Sequence, residues 1–187
     1  MDLELVELTA PAGVRWWVPF DSSEGFEPRW WCTQKYTSVG HRFVRVIQRG
    51  QEVARVELDD SLRLAELDHY AEVPVSGKTL LEIQFIEVAR SQRRDRIGTA
   101  VIGVLAAAYP DRQLAAFSEG ADEFWASLGW DRYLAKETPH LLRPLFVQPV
   151  SAVPVGALPL SAPTKSWQAT ADGARSESSD AAVDEQT

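Results

Sequence analysis

The sequence predicts an α/β domain of the mixed-sheet (α+β) type, with mostly antiparallel strands, a central βαβ unit and flanking helices. Three observations lead there. Leu80 to Val88 is a nearly continuous apolar run, LLEIQFIEV, which suits a strand covered on both faces. From Ile97 the apolar period lengthens: Ile97, Val101, Leu105 and Ala108 share one helical stripe with Val104 alongside, and Pro110 ends the helix. Leu114 to Ser118 follows at once and reads as a second strand parallel to the first, with the helix as crossover.

The other elements fall in around this unit. Leu3 to Leu8, LELVEL, alternates as a first strand with one solvated side. From Pro11 to Ser38 the pattern dissolves into prolines, glycines and the indole pairs Trp16, Trp17 and Trp30, Trp31, which read first as core and lid packing because an aromatic buries so much area. Phe43 to Ile47 and Val53 to Leu58, joined through Arg49 and Gly50, form the clearest hairpin. Asp59, Asp60, Glu66 and Asp68 then make an acidic run, either a solvated connection or a lure for a cationic amine. Beyond the parallel pair, Ala121 to Leu128 reads as a short helix capped by Gly129. Trp130 to Ala135 and Leu141 to Val147 read as a closing antiparallel pair.

Composition limits the function classes. With 187 residues, 45% of them hydrophobic, and seven tryptophans, the chain has material for one buried core. One domain over 1–148 is expected, followed by a Gly, Pro, Ser and Ala rich tail over 149–187 that is expected to be disordered. A formal net charge of −8 speaks against general affinity for nucleic acid or anionic membrane. Cys32 is the only cysteine, and His41, His69 and His140 lack ligand spacing, so no metal site is expected. The start, MDLELVELTA, is unlike a secretion signal, and no apolar run reaches the roughly 20 residues of a membrane span. A cytoplasmic protein is expected, with a homodimer among the open oligomeric states.

The joint between the apolar strand and the helix carries the functional reading. A helix start aims unpaired N–H groups and the positive end of aligned peptide dipoles at whatever lies before it, which favours an anion. Gly98 and Thr99 stand in that first turn, where Gly98 lets a ligand approach the backbone without meeting a Cβ, or simply permits close packing. Arg90, Arg93, Arg94 and Arg96 ring the spot with guanidinium forks suited to phosphate.

Arg93, Arg94, Asp95, Arg96, Ile97 and Gly98 resemble the diphosphate-binding motif of the GNAT superfamily of acyl-CoA N-acyltransferases: Arg or Gln, two residues of any kind, Gly, any residue, then Gly or Ala. Ile86, Glu87 and Val88 look like the strand end before it. Arg96 stands where the first glycine belongs, so an altered loop path and altered diphosphate binding are expected. Downstream, Phe124, Trp125, Ala126, Ser127, Leu128, Gly129 and Trp130 resemble the family's Phe, Tyr, three residues, Gly, Phe signature. Roughly Leu80 to Tyr133 carries the resemblance. It implies an N-acyltransferase with acetyl-CoA as co-substrate and an amine acceptor, cofactor contacts from Ile86, Val88, Arg93, Arg94, Arg96, Ile97, Gly98 and Thr99, and indoles of the amino-terminal third lining the acceptor pocket.

Direct acyl transfer needs a base for the amine, donors for the oxyanion and a fate for the thiolate. Glu82 is the leading base, a carboxylate in an otherwise apolar strand at the position of the glutamate used by histone-acetylating relatives; Glu87, nearer the loop, is the alternative. The resemblance implies oxyanion donation from the backbone near Val88, where this strand splays from the next. The signature's Tyr, the usual acid for the thiolate, is here Trp125, and Ser118 stands where relatives often carry Asn. Either the thiolate leaves unassisted, Tyr133 or a water substitutes, or the chain is a catalytically degenerate CoA-binding or protein-interaction module.

Overall fold

A computed structural model of the chain describes residues 1–37, 40–60, 67–70, 73–74 and 79–149. These lie in one compact unit, Met1–Val153. The expected tail, apart from Pro149, and Glu66 of the acidic run lie outside the described residues.

The strands are β1 (Glu4–Leu8), β2 (Trp16–Trp17), β3 (Lys35–Tyr36), β4 (His41–Gln48), β5 (Gln51–Asp59), β6 (Thr79–Val88), β7 (Arg112–Phe117), β8 (Asp131–Tyr133) and β9 (Leu145–Val147), and the α-helices are α1 (Pro28–Trp31), α2 (Ile97–Ala108) and α3 (Asp122–Ser127). Seven strands form one sheet in the order β1-β4-β5-β6-β7-β9-β8, while β2 and β3 pair separately. Among the described strands of this sheet, only β6 and β7 run parallel. The expected mixed, mostly antiparallel sheet with a central βαβ unit is therefore the observed one.

Local chemistry explains the main elements. At the β4–β5 hairpin, Arg49 (φ 50°) and Gly50 (φ 77°) are both left-handed, as a two-residue I′ turn requires to match strand twist. In α2, Ile97, Val101, Ile102 and Leu105 are buried against one sheet face built from Val44, Val56, Leu58, Leu81, Ile83 and Leu114. Ile102 takes the core place expected of Ala108, which is exposed at the last turn. The closing pair is shorter than expected: only Asp131–Tyr133 and Leu145–Val147 extend, and β9 inserts between β7 and β8. In the amino-terminal third, where the sequence pattern dissolves, the helix among the described residues is the single turn α1.

One irregularity shapes the site. Across β5 and β6, Glu57 faces Phe85 and Leu58 faces Ile83, so Gln84 is an extra residue on β6. Such a bulge bends its strand and sharpens the local twist. The parallel pairing with β7 runs from Thr79↔Arg112 to Glu82↔Ala115 and stops there. Beyond Glu82, β6 keeps β5 on one side and loses its neighbour on the other.

Candidate active site

Where β6 leaves β7, the sheet opens into a cleft of about 630 Å³ lined by Ile83, Phe85 and Ile86 of β6, Phe117 at the end of β7, Trp125 of α3 and Trp30 of α1. The backbone faces it. Ala89 donates its N–H to the Val53 carbonyl on β5, so by strand alternation Ile86 and Val88 turn their N–H and C=O groups toward the opened side. Of these, the Val88 carbonyl accepts from Arg93 Nε at 3.1 Å.

Two residues further along β6, a second hollow of about 290 Å³ lies before α2, lined by Val88, Arg94, Arg96, Ile97, Gly98 and Thr99 among others. Ala100 donates to the Arg96 carbonyl, which leaves the N–H groups of Ile97, Gly98 and Thr99 ahead of the first helical bond. Arg96, the N-cap residue, offers them no side-chain acceptor. Unpaired donors, the positive end of a twelve-residue helix and guanidinium groups in one hollow suit a diphosphate.

The four loop arginines divide their tasks. Arg93 reaches back to Glu87 at 2.8 Å and Arg90 to Glu27 at 3.4 Å, while Arg94 and Arg96 have no carboxylate within salt-bridge distance among the described residues. Arg94 (φ 73°) and Arg96 (φ 59°) are both left-handed. Arg96 thus takes a conformation that glycine adopts without steric cost. Gly98 answers a packing need: a Cβ there would meet Phe124 ring carbons at 3.1 and 3.3 Å, so the open approach expected at this residue is taken up by an aromatic ring.

The candidate acid–base residues separate in space. Glu82 is buried at the last parallel pair, across from Asp59, whose Oδ2 lies 2.9 Å from His41 Nε2. Glu87 is equally buried, but Oε2 accepts from Trp31 Nε1 (2.7 Å) and the Glu27 N–H (2.9 Å) while Oε1 takes Arg93. That carboxylate ties α1 and the loop to the sheet. Tyr133 sits on β8, three strands from β6, or about 14 Å at ordinary strand spacing, and does not line the cleft. Burial, then the charge of Asp131, raises its phenol.

Sequence reasoning missed Tyr70, a lone residue in no periodic element. It is buried, donates its hydroxyl to the Arg143 carbonyl at 2.8 Å and packs on Phe117. Burial pushes its phenol up, Arg143 opposes this, and the Glu82 charge raises it further, so a neutral phenol stands near the candidate base. Trp125, in the place of the signature Tyr, is buried and stacked on Trp130 at 4.9 Å. Ser118 accepts from the Ala121 N–H and donates to Asp122 Oδ1 at 2.6 Å, fastening the start of α3. The indoles divide too: Trp31 is core, Trp17 packs on Phe43, and Trp30 lines the cleft. In the acidic run, Asp59 and Asp60 are engaged by His41, Arg42 and Arg112 rather than solvated.

No protein-family profile matches the chain, and no curated protein matches it. Among solved structures it is similar to Arabidopsis thaliana NAA60 in complex with a bisubstrate analogue (15% identity over 58% of this chain and 75% of that one, TM-score 0.40). It is also similar to a bacterial toxin (15%, 57% and 66%, 0.38) and to AtaT complexed with acetyl-methionyl-tRNAfMet (13%, 79% and 95%, 0.43). With TM-scores below 0.5, these likenesses carry no argument about this chain. No helix among the described residues is long and apolar enough to cross a membrane.

Proposed function

We propose that residues 1–148 form an N-acyltransferase domain that moves an acetyl group from acetyl-CoA to a primary amine of a small molecule or protein by direct transfer. The observation that carries this reading is the parting of β6 from β7 at Glu82, with the cleft and the helix-start hollow lying in succession along the freed edge of β6.

In this reading, Arg94, Arg96 and the N–H groups of Ile97, Gly98 and Thr99 hold the diphosphate, and the freed edge at Ile86 and Val88 holds the thiol arm. Arg93 acts beside them, fixed by Glu87 and the Val88 carbonyl. Glu82 takes the proton of the incoming ammonium. The amine then attacks the thioester carbonyl, and backbone N–H groups of the β6 edge receive the developing oxyanion. An ordinary thiol has a pKa of about 8.5, so its thiolate leaves at neutral pH without an acid at Trp125. Glu87 and Tyr133 have no step.

Replacing Glu82 by Gln lowers turnover at neutral pH by roughly 10²–10⁴, the usual worth of a positioned base, with CoA affinity little changed. Unchanged turnover removes Glu82 from the mechanism. A second reading, a module that binds CoA without turnover, draws on the buried Trp125–Trp130 stack where relatives carry a Tyr. Thermal stabilisation by acetyl-CoA without thiol release over an amine panel would establish it in place of the first.

A further inference from the structure

We propose that the acceptor is an amine that also bears an anionic group, a carboxylate or a phosphate, held by Arg29 and Arg143 at the mouth of the cleft. This rests on the acyltransferase reading and names its substrate class. The chain as a whole carries a formal charge of −8, yet among the described residues the charged ones lining this cleft are two arginines and one glutamate. The sign of charge reverses along this cleft.

Both guanidinium groups are set up to receive an anion. Arg29 Cζ lies 5.5 Å from the Trp30 ring centre, and no carboxylate among the described residues is within salt-bridge distance of it. Arg143 Cζ lies 5.8 Å from the Phe117 ring. A guanidinium lying over an aromatic face keeps its N–H edge available for a planar, two-pronged acceptor. Among the described residues, Arg143 has one ionic partner, Glu119, at 3.8 Å, with the two side chains 51% and 80% exposed. Such a pair contributes little and yields readily to a ligand, while Glu119 offers a counter-charge to the ammonium end.

The backbone under each arginine is anchored. Two residues after Arg29 in α1, Trp31 is fully buried and bonded to Glu87, and the Arg143 carbonyl is held by the buried Tyr70 hydroxyl. Both arginines therefore rise from anchored backbone into the lining of one cleft, which the Trp30 and Phe85 rings, 6.4 Å apart, also line. A charged group docked between Arg29 and Arg143 leaves the amine of the same molecule to extend toward β6.

The test measures thiol release from acetyl-CoA by the full chain with matched amines: an amino acid against its methyl ester, and phosphoethanolamine against ethanolamine. Each anionic member should exceed its neutral partner in kcat/KM by roughly tenfold or more, in line with charge-assisted hydrogen bonds, and the larger preference identifies carboxylate or phosphate. Arg29→Met and Arg143→Met should each cut that ratio about tenfold, with Arg29→Lys between. A ratio near one, or a ratio that neither variant alters, overturns the proposal. If no amine releases thiol, the acyltransferase reading fails by itself. Calorimetric titration with the same anionic amines then decides this site: binding weakened by both Met variants sustains it, and absence of binding ends it.

Discussion

Replacing Arg96 by glycine should move stability and cofactor affinity in opposite directions. Arg96 caps α2 with φ 59° and ψ 17°, a left-handed conformation that costs a residue with a Cβ about 1–2 kcal/mol. Glycine removes that cost but adds freedom to the unfolded chain worth up to about 1 kcal/mol, so the expected net gain is roughly 0.5–1 kcal/mol. For a unit spanning Met1–Val153, this raises Tm by about 1–4 °C. The same change deletes one guanidinium from the helix-start hollow, and a lost charge-assisted contact should weaken CoA binding about tenfold. Arg96→Ala supplies the internal control, since it loses the charge and keeps the Cβ: it should bind as weakly as the glycine variant while being about 1 kcal/mol less stable. Thermal unfolding followed by circular dichroism and calorimetric titration with CoA at fixed salt measure both quantities. Equal stability of the alanine and glycine variants would refute the strain argument, and unchanged affinity in both would remove Arg96 from the diphosphate site.

The same geometry sets three further expectations. Gly98→Ala presses a methyl group onto Phe124 at 3.1 Å and should destabilise by about 1 kcal/mol, whereas in a Phe124→Ala background it should stabilise by up to about 1 kcal/mol through helix propensity; urea unfolding of the double-mutant cycle checks the sign change. Glu87→Gln weakens a hub with three donors and should cost about 1–3 kcal/mol in urea unfolding, whereas lost turnover at full stability would assign that carboxylate chemistry instead. Burial, then Glu7, pushes the Tyr109 phenol above its ordinary 10.0, with Arg42 opposing. Its folded-state value is the higher one, so its contribution is fully present below pH 10 and is lost as pH rises through the folded value. Tyr109→Phe should therefore flatten the alkaline fall in stability, seen as a smaller drop in urea midpoint above pH 10.

The central βαβ unit was legible because its signals are long: a nine-residue stretch with six apolar residues, a change of period at Ile97 and a proline at the helix end. The hairpin was legible because Gly50 satisfies a turn whose φ angles few residues adopt. Strands β8 and β9 were blurred because three residues carry no period, and nothing local states that β9 pairs with β7. Arginine clustering marked the hollow before α2, but sequence could not divide the labour within it. That division depends on Glu27 and Glu87 coming within reach, contacts that span roughly sixty residues for Arg90 and arise across the strand end for Arg93. Tyr70 gave no sign at all, because its role comes from long-range contacts with Phe117 and Arg143.

The most consequential hidden feature is the parity of β6. Glu82 and Glu87 are five residues apart, and in a regular strand an odd separation puts side chains on opposite faces. The extra residue at Gln84 reverses that parity. Glu82, Phe85 and Glu87 oppose Asp59, Glu57 and Arg55, so both carboxylates share the face away from α2, while Ile83, Ile86 and Val88 stay with the helix-side core. A single inserted residue therefore does two things. It keeps an apolar layer continuous under α2 on both sides of the bend, and it brings both carboxylates of the strand to the surface served by Trp31, Lys35 and His41. On that surface the two differ by what reaches them. Glu87 lies beyond the bend, under α1 and the arginine loop, and is held by their donors; Glu82 lies before it, at the last residue where β6 still has β7 beside it. The position of the bulge between them is what makes one carboxylate a brace and leaves the other at the residue where β6 parts from β7.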